Sequence, residues 1–361
     1  MTHKIAIFRA LYLGDMLLAV PALRAIRQHF PGSEITLIGL PWAATFVARY
    51  TDYLDRFVEF MGYPGLQEVE FCPERSQAFI EAQRAYQYDL VIQMHGSGLS
   101  SNSFIHELQA GMSVGYFPGQ DAEAGSKLTL GIPYPIQNHE IYRNLGLAKL
   151  FGCKQLDPSL EFPLWTEDFR EINHVLAAFP QKANTPWIGM HVGAKHPARR
   201  WSPLSFARLA DALTQNLHAK IILTGGTDER STIRKVIRCM ASEPINLAGQ
   251  TSLGGLAALL SQLDLFISND TGPAHLAYAL DIPSITLFGP TDYQRWRPLA
   301  QDRHIALRAP VACSPCTYHV CPIDHRCLSQ ISPSLVLSIA TKYLENASLV
   351  YRNRRNMPVL S

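Results

Sequence analysis

A chain of 361 residues, 47% hydrophobic and 17% charged, carries enough apolar material for one large or two medium domains and too little charge for a disordered polymer. Its 32 Lys plus Arg against 30 Asp plus Glu leave a formal charge of +2, so nothing in the overall balance signals a nucleic-acid surface and any basic site must be local. No apolar run reaches the ~18 residues of a membrane span, because the greasiest stretch, Leu256–Ser268, is broken by Gln262 and Asp264.

The opening Met1-Thr2-His3-Lys4 and Ile5–Phe8 are interrupted too soon by Arg9 and Asp15 to form a secretory leader, which predicts a cytoplasmic protein. Lys4–Phe8 reads as a strand. Across Asp15–Phe30, apolar Leu18, Ala22, Ala25, Ile26 and Phe30 recur at helical spacing, and Pro21 predicts a kink or a late start. Glu34–Leu40, Pro41–Tyr50 and Asp89–Gln93 continue the alternation of β-rich and helical runs, which predicts βαβ units on a parallel sheet. Between Phe151 and Pro186 the periodicity weakens, and Pro158, Pro163, Pro180 and Pro186 punctuate a linker with one helix over Glu167–Ala178. The alternation restarts with Trp187–His191, Phe206–Asn216, Lys220–Thr224, Asp228–Met240, Ser252–Gln262, Leu265–Ser268, Gly272–Leu280 and Ser284–Phe288. Two domains are therefore expected, 1–165 and 166–361, with a C-terminal helix that is a candidate to cross back. Both should be α/β, doubly wound and Rossmann-like, facing a central cleft with ligands at the carboxyl ends of the strands.

Four strand-end loops carry candidate chemistry. After the first strand, Gly14 permits a tight backbone and Asp15 projects from a helix start, as a cap for that helix or as a general base. After the strand Trp187–His191, the segment His191–Pro203 crowds Lys195, Arg199 and Arg200 into one loop, either a solvated basic turn or a site for an anion. It is not a P-loop, and no G-x-G-x-x-G follows any predicted strand, which places a nicotinamide-dependent oxidoreductase low. Thr224-Gly225-Gly226-Thr227-Asp228-Glu229 ends a third strand; its acids suit ribose hydroxyls, or cap the helix that follows. The most specific loop is Asn269-Asp270-Thr271-Gly272-Pro273-Ala274-His275, where a buried strand runs into a helix with proline near its first position. That arrangement aims amides and the positive helix end at a diphosphate, with Asp270 or Thr271 as a plain cap and His275 as a core histidine the alternative.

Seven cysteines in a core-rich chain do not suggest a disulfide framework. Cys313, Cys316, Cys321 and Cys327 are spaced C-x₂-C-x₄-C-x₅-C with His319 and His325 between them, compatible with a structural zinc or iron site, buried thiols, or redox chemistry.

Through Gly14-Asp15, Arg199-Arg200-Trp201, Gly225-Gly226 with its following acids, and Asp270-Thr271-Gly272-Pro273-Ala274-His275, the chain resembles glycosyltransferase family 9, the ADP-heptose:lipopolysaccharide heptosyltransferases, from about Lys4 to Pro298. The resemblance implies the GT-B fold, with acceptor bound mainly by the N-terminal domain and sugar nucleotide by the C-terminal one. It implies that Asp15 is the catalytic base and that the Thr271–His275 turn binds the diphosphate. The family's phosphate-contacting lysine falls on Arg199, with Lys195 nearby, and its ribose-contacting acid on Asp228, with Glu229 the competing choice. The implied reaction is inverting, with an ADP-heptose donor and a glycolipid acceptor of the lipopolysaccharide core. It requires no cofactor, and no Asp-x-Asp pair occurs that would hold Mg²⁺. Such an acceptor implies peripheral contact with the cytoplasmic face of the inner membrane, for which Arg352, Arg354 and Arg355 are candidates. A nucleotide-sugar epimerase of the same fold and a non-catalytic sugar-nucleotide-binding protein are the rival readings.

Overall fold

The computed structural model describes residues 3–119, 123, 125, 127–179 and 185–350, the side chains of 346–350 excepted. The chain divides into two compact units, Met1–Pro163 and Leu164–Ser361, with the border inside the proline-punctuated stretch.

In the first unit, β1 (Lys4–Phe8), β2 (Glu34–Gly39), β3 (Arg56–Glu59), β4 (Leu90–Gln93), β5 (Met112–Phe117) and β6 (Leu130–Pro133) form one sheet in the order β3-β2-β1-β4-β5-β6. Every pairing is parallel. The central strands are near-continuous apolar runs because helices cover both faces, and Ile5, Ala6, Ile7 and Phe8 are all buried. The helices are α1 (Leu13–Leu17), α2 (Val20–His29), α3 (Ala43–Arg49), α4 (Pro73–Tyr86), α5 (Ser101–Glu107) and α6 (Glu140–Leu150). The helix expected over Asp15–Phe30 is thus two pieces. Pro21 lies in the first turn of α2, where its missing N–H is harmless; in a continuous helix that N–H would have been owed to the Leu17 carbonyl.

The second unit holds α7 (Thr166–Leu176), β7 (Trp187–His191), α8 (Pro203–Leu217), β8 (Lys220–Thr224), α9 (Arg230–Cys239), β9 (Ile245–Asn246), α10 (Leu253–Leu260), β10 (Leu265–Asn269), α11 (Gly272–Ala279), β11 (Ser284–Phe288), α12 (Tyr293–Trp296), β12 (His304–Arg308), α13 (Arg326–Ser329) and α14 (Pro333–Val350). Its sheet is again wholly parallel, in the order β12-β11-β10-β7-β8-β9. Numbered from each unit's own first strand, both sheets run 3-2-1-4-5-6, the doubly wound Rossmann order. α14 packs on α8 of its own unit, where Val336 and Ala340 join the core that holds Phe206 and Leu213. Arg352, Arg354 and Arg355 lie outside the described residues.

Strand order reverses between β1 and β4 in one unit and between β7 and β10 in the other. Neighbouring connections leave such a junction in opposite directions and open a crevice at its carboxyl end. The Gly14-Asp15 loop follows β1, the basic loop follows β7, and the Asp270–His275 turn follows β10, so these three segments sit at the two junctions.

Candidate active site

In the second unit, Asn269 ties the junction together. It is fully buried at the end of β10; its Nδ2 donates to the carbonyls of Val192 and Gly193 (3.0 Å each) and its Oδ1 accepts from the Trp201 amide (2.9 Å). One side chain thereby fixes both ends of the basic loop to the start of the Asp270–His275 turn. Trp201 is buried as well, edge-on to Phe206, with its indole N–H on the Ile331 carbonyl (3.0 Å).

Within the basic loop the three cations differ. Arg200 is spent internally, Nε donating to the Ala194 carbonyl (2.8 Å) and Nη1 to Thr232 Oγ1 (3.4 Å). Lys195 is exposed. Arg199 ends a 3₁₀ turn over Pro197–Arg199, half-buried, and its guanidinium has no hydrogen-bond or ion-pair partner among the described residues. His196 is held below the usual imidazole range by burial and then by Arg199, His319 and Lys195, so it adds no charge at neutral pH.

The turn after β10 is narrower than the motif suggests. Thr271 is the residue before α11, Pro273 has no N–H, and the Ala274 amide already donates to the Thr271 carbonyl (3.0 Å). The amides left without a partner among the described residues are those of Thr271 and Gly272, beside a buried Thr271 hydroxyl that also lacks one. Asp270 faces inward: Oδ2 accepts from Thr291 Oγ1 (2.5 Å), and Oδ1 lies 3.9 Å from His275 Nε2. His275, edge-on to Tyr278, is therefore a buried partner of Asp270.

At the β8 end, Asp228 is exposed and Glu229 is turned in. Glu229 Oε2 accepts from the Gly226 amide (2.9 Å) and lies 3.4 Å from His191 Nε2, while His191 Nδ1 meets Thr224 Oγ1 at 3.2 Å. Burial opposes the charge on Glu229, but the His191 contact, the Gly226 N–H and Arg200 outweigh it and hold the carboxyl below its ordinary range. Gly193 makes room for that carboxylate: a Cβ there would fall 1.7 Å from Glu229 Oε1. Gly225 lies against the same side chain.

In the first unit, Gly14 is buried and Asp15 half-buried on the five-residue α1. Arg9 donates to the Asp15 carbonyl from Nε (3.1 Å) and Nη2 (2.7 Å). Beside it, at the β4 end, His95 Nδ1 accepts from the Ala10 amide (3.3 Å) and Nε2 lies 3.4 Å from Glu68 Oε1. The sequence reading singled out neither Arg9 nor the His95–Glu68 pair. Lone polar residues beside strand ends carry no spacing signal.

The zinc or iron reading of Cys313, Cys316, Cys321 and Cys327 is not supported. All seven cysteines are free, and among the described residues no group of three or more His, Cys, Asp or Glu is placed to hold an ion. Cys327 sits in the apolar core, and its thiol is pushed up to about 11 by burial and then by Cys313, Cys321 and Cys316. The segment buttresses the loops instead: Cys316 N donates to the Pro290 carbonyl (2.8 Å), Ser314 Oγ to the Gly289 carbonyl (2.9 Å), and Ala198 N to the His319 carbonyl (3.0 Å).

The profile of glycosyltransferase family 9 (heptosyltransferase) matches residues 77–326. Lipooligosaccharide heptosyltransferase 2 of Campylobacter jejuni subsp. jejuni serotype O:2 is 26% identical over 353 residues, covering 96% of this chain and all of that protein. Among solved structures, the family 9 glycosyl transferase of Veillonella parvula superposes with a TM-score of 0.78 at 20% identity, covering 95% of this chain and 98% of the other. Escherichia coli ADP-heptose lps heptosyltransferase II gives 0.74 at 18% identity, covering 96% and 100%. Two Rossmann units in one chain, with these matches, define a glycosyltransferase of the GT-B class. The chain belongs to glycosyltransferase family 9, the heptosyltransferase family.

Proposed function

We propose that the protein moves a heptose from ADP-heptose to a sugar hydroxyl of a lipopolysaccharide-core acceptor, with inversion at the anomeric carbon. The observation that carries this reading is the β7/β10 junction, where Asn269 ties the loop bearing Arg199 to the turn of Thr271 and Gly272, and where the Arg199 guanidinium and the Thr271 and Gly272 amides have no partner among the described residues. Amides at a helix start, together with a cation, are the chemistry of a diphosphate site.

The acceptor oxygen attacks C1 of the heptose as the bond from C1 to the β-phosphate oxygen breaks, and Asp15 takes the acceptor proton. The electron pair leaves on ADP, where the Thr271 and Gly272 amides, the α11 N-terminus, Arg199 and Lys195 meet its growing charge. Losing one such donor is expected to slow the step by about 10²-fold. Glu229, fixed by His191 and Gly226 N–H, is better placed than exposed Asp228 for ribose hydroxyls at the β8 end, with Thr224 and Gly225 beneath it. In this reading the first unit receives the acceptor and the second the donor. A glycolipid acceptor would bring the protein to the cytoplasmic face of the inner membrane, although no helix among the described residues is long and apolar enough to cross one.

The test is a panel of nucleotide sugars against core acceptors, read by product mass. ADP-heptose is expected to add one heptose to the acceptor and to stay intact without it. Conversion of the sugar in the absence of acceptor would make the protein an epimerase, and binding without turnover on any acceptor would make it a sugar-nucleotide binder.

A further inference from the structure

The break between α1 and α2 leaves carbonyls that no helix amide takes. The Ala19 amide donates to Met16, one residue short of the i−4 carbonyl of Asp15, and the Ala22 amide donates to Ala19 and not to Leu18. Both abandoned carbonyls are captured from elsewhere. Arg9 takes that of Asp15, as described above, and Asn144 Nδ2 on α6 takes that of Leu18 (2.9 Å).

Arg9 is itself held from α6. Its Nη1 donates to Asn144 Oδ1 (3.2 Å) and to the Met94 carbonyl, and its Nη2 lies 3.4 Å from Glu140 Oε1. Glu140 is in turn paired with Arg143, whose guanidinium also reaches the carbonyls of Pro135, Ile136 and Asn138. Arg9, Glu140, Arg143 and Asn144 are all at least nine-tenths buried. A guanidinium has five N–H donors, and the contacts of Arg9 occupy all five, so it has none to offer a substrate. What it does instead is hold a main-chain atom of the residue read above as the base.

We propose that Arg9, Glu140 and Asn144 are positioning residues, a rigid strut from β1 to α6 that sets the height and direction of the Asp15 carboxylate. The proposal rests on the assignment of Asp15 as base. A five-residue helix is too short to hold its own geometry in water, so its shape is dictated by what grips its ends. Here that grip is a network of buried charge, which is expensive to break and stiff when intact. A proton acceptor displaced by a fraction of an ångström loses most of its advantage.

Arg9→Lys keeps the positive charge but replaces a planar fork by a point donor that cannot take the Asp15 carbonyl from two nitrogens. Asn144→Ser, which removes the bonds to Leu18 and Arg9 and disturbs no charged group directly, serves if Arg9→Lys does not fold. Either variant is expected to lower kcat by 10- to 100-fold while the KM for donor and acceptor and the affinity for ADP stay within 2-fold. In an Asp15→Asn background, with residual product followed over hours by mass detection, the same change is expected to lower the rate by less than 2-fold. A merely structural role predicts the same factor in both backgrounds and would overturn the proposal, as would a folded Arg9→Lys or Asn144→Ser enzyme of normal kcat. Asp15→Asn turning over at the wild-type rate would remove Asp15 as base and take the proposal with it, whereas an inactive Asp15→Asn beside a fully active Arg9→Lys would remove the strut alone.

Discussion

Arg199 and Arg200 are adjacent in sequence and opposite in use. Arg200 closes its own loop on Ala194 and Thr232, whereas the guanidinium of Arg199 has no protein partner among the described residues. Charge-assisted hydrogen bonds contribute about 1.5–3 kcal/mol each. Arg199→Ala is accordingly expected to weaken ADP binding by 10- to 100-fold in calorimetry and to leave the KM for acceptor unchanged; equal losses for the two ligands would place the arginine outside the diphosphate site. The neighbouring acids divide in the same manner. Asp228 and Glu229 are equivalent on spacing, and only the contact with His191 and Gly226 turns Glu229 toward the strand end. Two of the most telling residues, Arg9 and Asn269, gave no signal of their own because their partners are remote: Arg9 meets Glu140 and Asn144 across 131 and 135 positions.

Elements were legible in proportion to how completely the sheet buries them. β1, β2, β7, β8, β10 and β11 are apolar runs inside parallel sheets and were predicted close to their observed limits. Edge strands were not: β3 carries Arg56 and Glu59, and β9 is two residues long. α6 escaped for a different reason. Its buried face includes Glu140, Arg143 and Asn144, so a pattern rule that equates burial with apolarity cannot see it. Edge strand β12 also holds a titratable group whose sign can be worked out. His304 is buried opposite Ser284 of β11, with Nδ1 3.0 Å from Ser284 Oγ, and burial lowers its pKa from 6.5 to about 4 against the pull of Asp281. Between those values the unfolded chain binds a proton that the folded chain refuses. Stability from this residue is therefore full above about pH 6.5 and is lost as pH falls toward 4, by about 3 kcal/mol at most. Denaturant titrations between pH 7 and pH 4 should show this fall, and His304→Asn should flatten it; an unchanged slope would mean that another group governs the window.

For the molecule as a whole, the recurrence of one strand order in both units explains how the chain carries two switch points, one beside Asp15 and one beside Thr271. In the proposed reaction the leaving diphosphate is neutralised by amides, Arg199 and Lys195, and the sequence has no Asp-x-Asp pair to share a divalent ion. Turnover is therefore expected to be unchanged in excess EDTA. Loss of activity restored by Mg²⁺ would show that a cation does the work assigned to those groups. The cysteine segment shows the limits of spacing at this scale. C-x₂-C is a ligand pattern in the abstract, but the fold spends one of the four thiols on its core and the surrounding backbone on bracing the basic loop.

By itself, the sequence determined the alternation of strands and helices, the partition into two α/β units, the loops that end at the strands, and the family those loops belong to. These are local properties, written in periodicity and in short motifs that each lie within one turn of chain. Only the tertiary structure decided which acid of the Asp228–Glu229 pair is turned in, which arginine lacks a partner among the described residues, that no group of three or more His, Cys, Asp or Glu among those residues is placed to hold an ion, and what grips the turn bearing Asp15. Those outcomes depend on groups far apart in the chain being brought within hydrogen-bond reach by the order of the sheets, a relation that no local pattern of residues encodes.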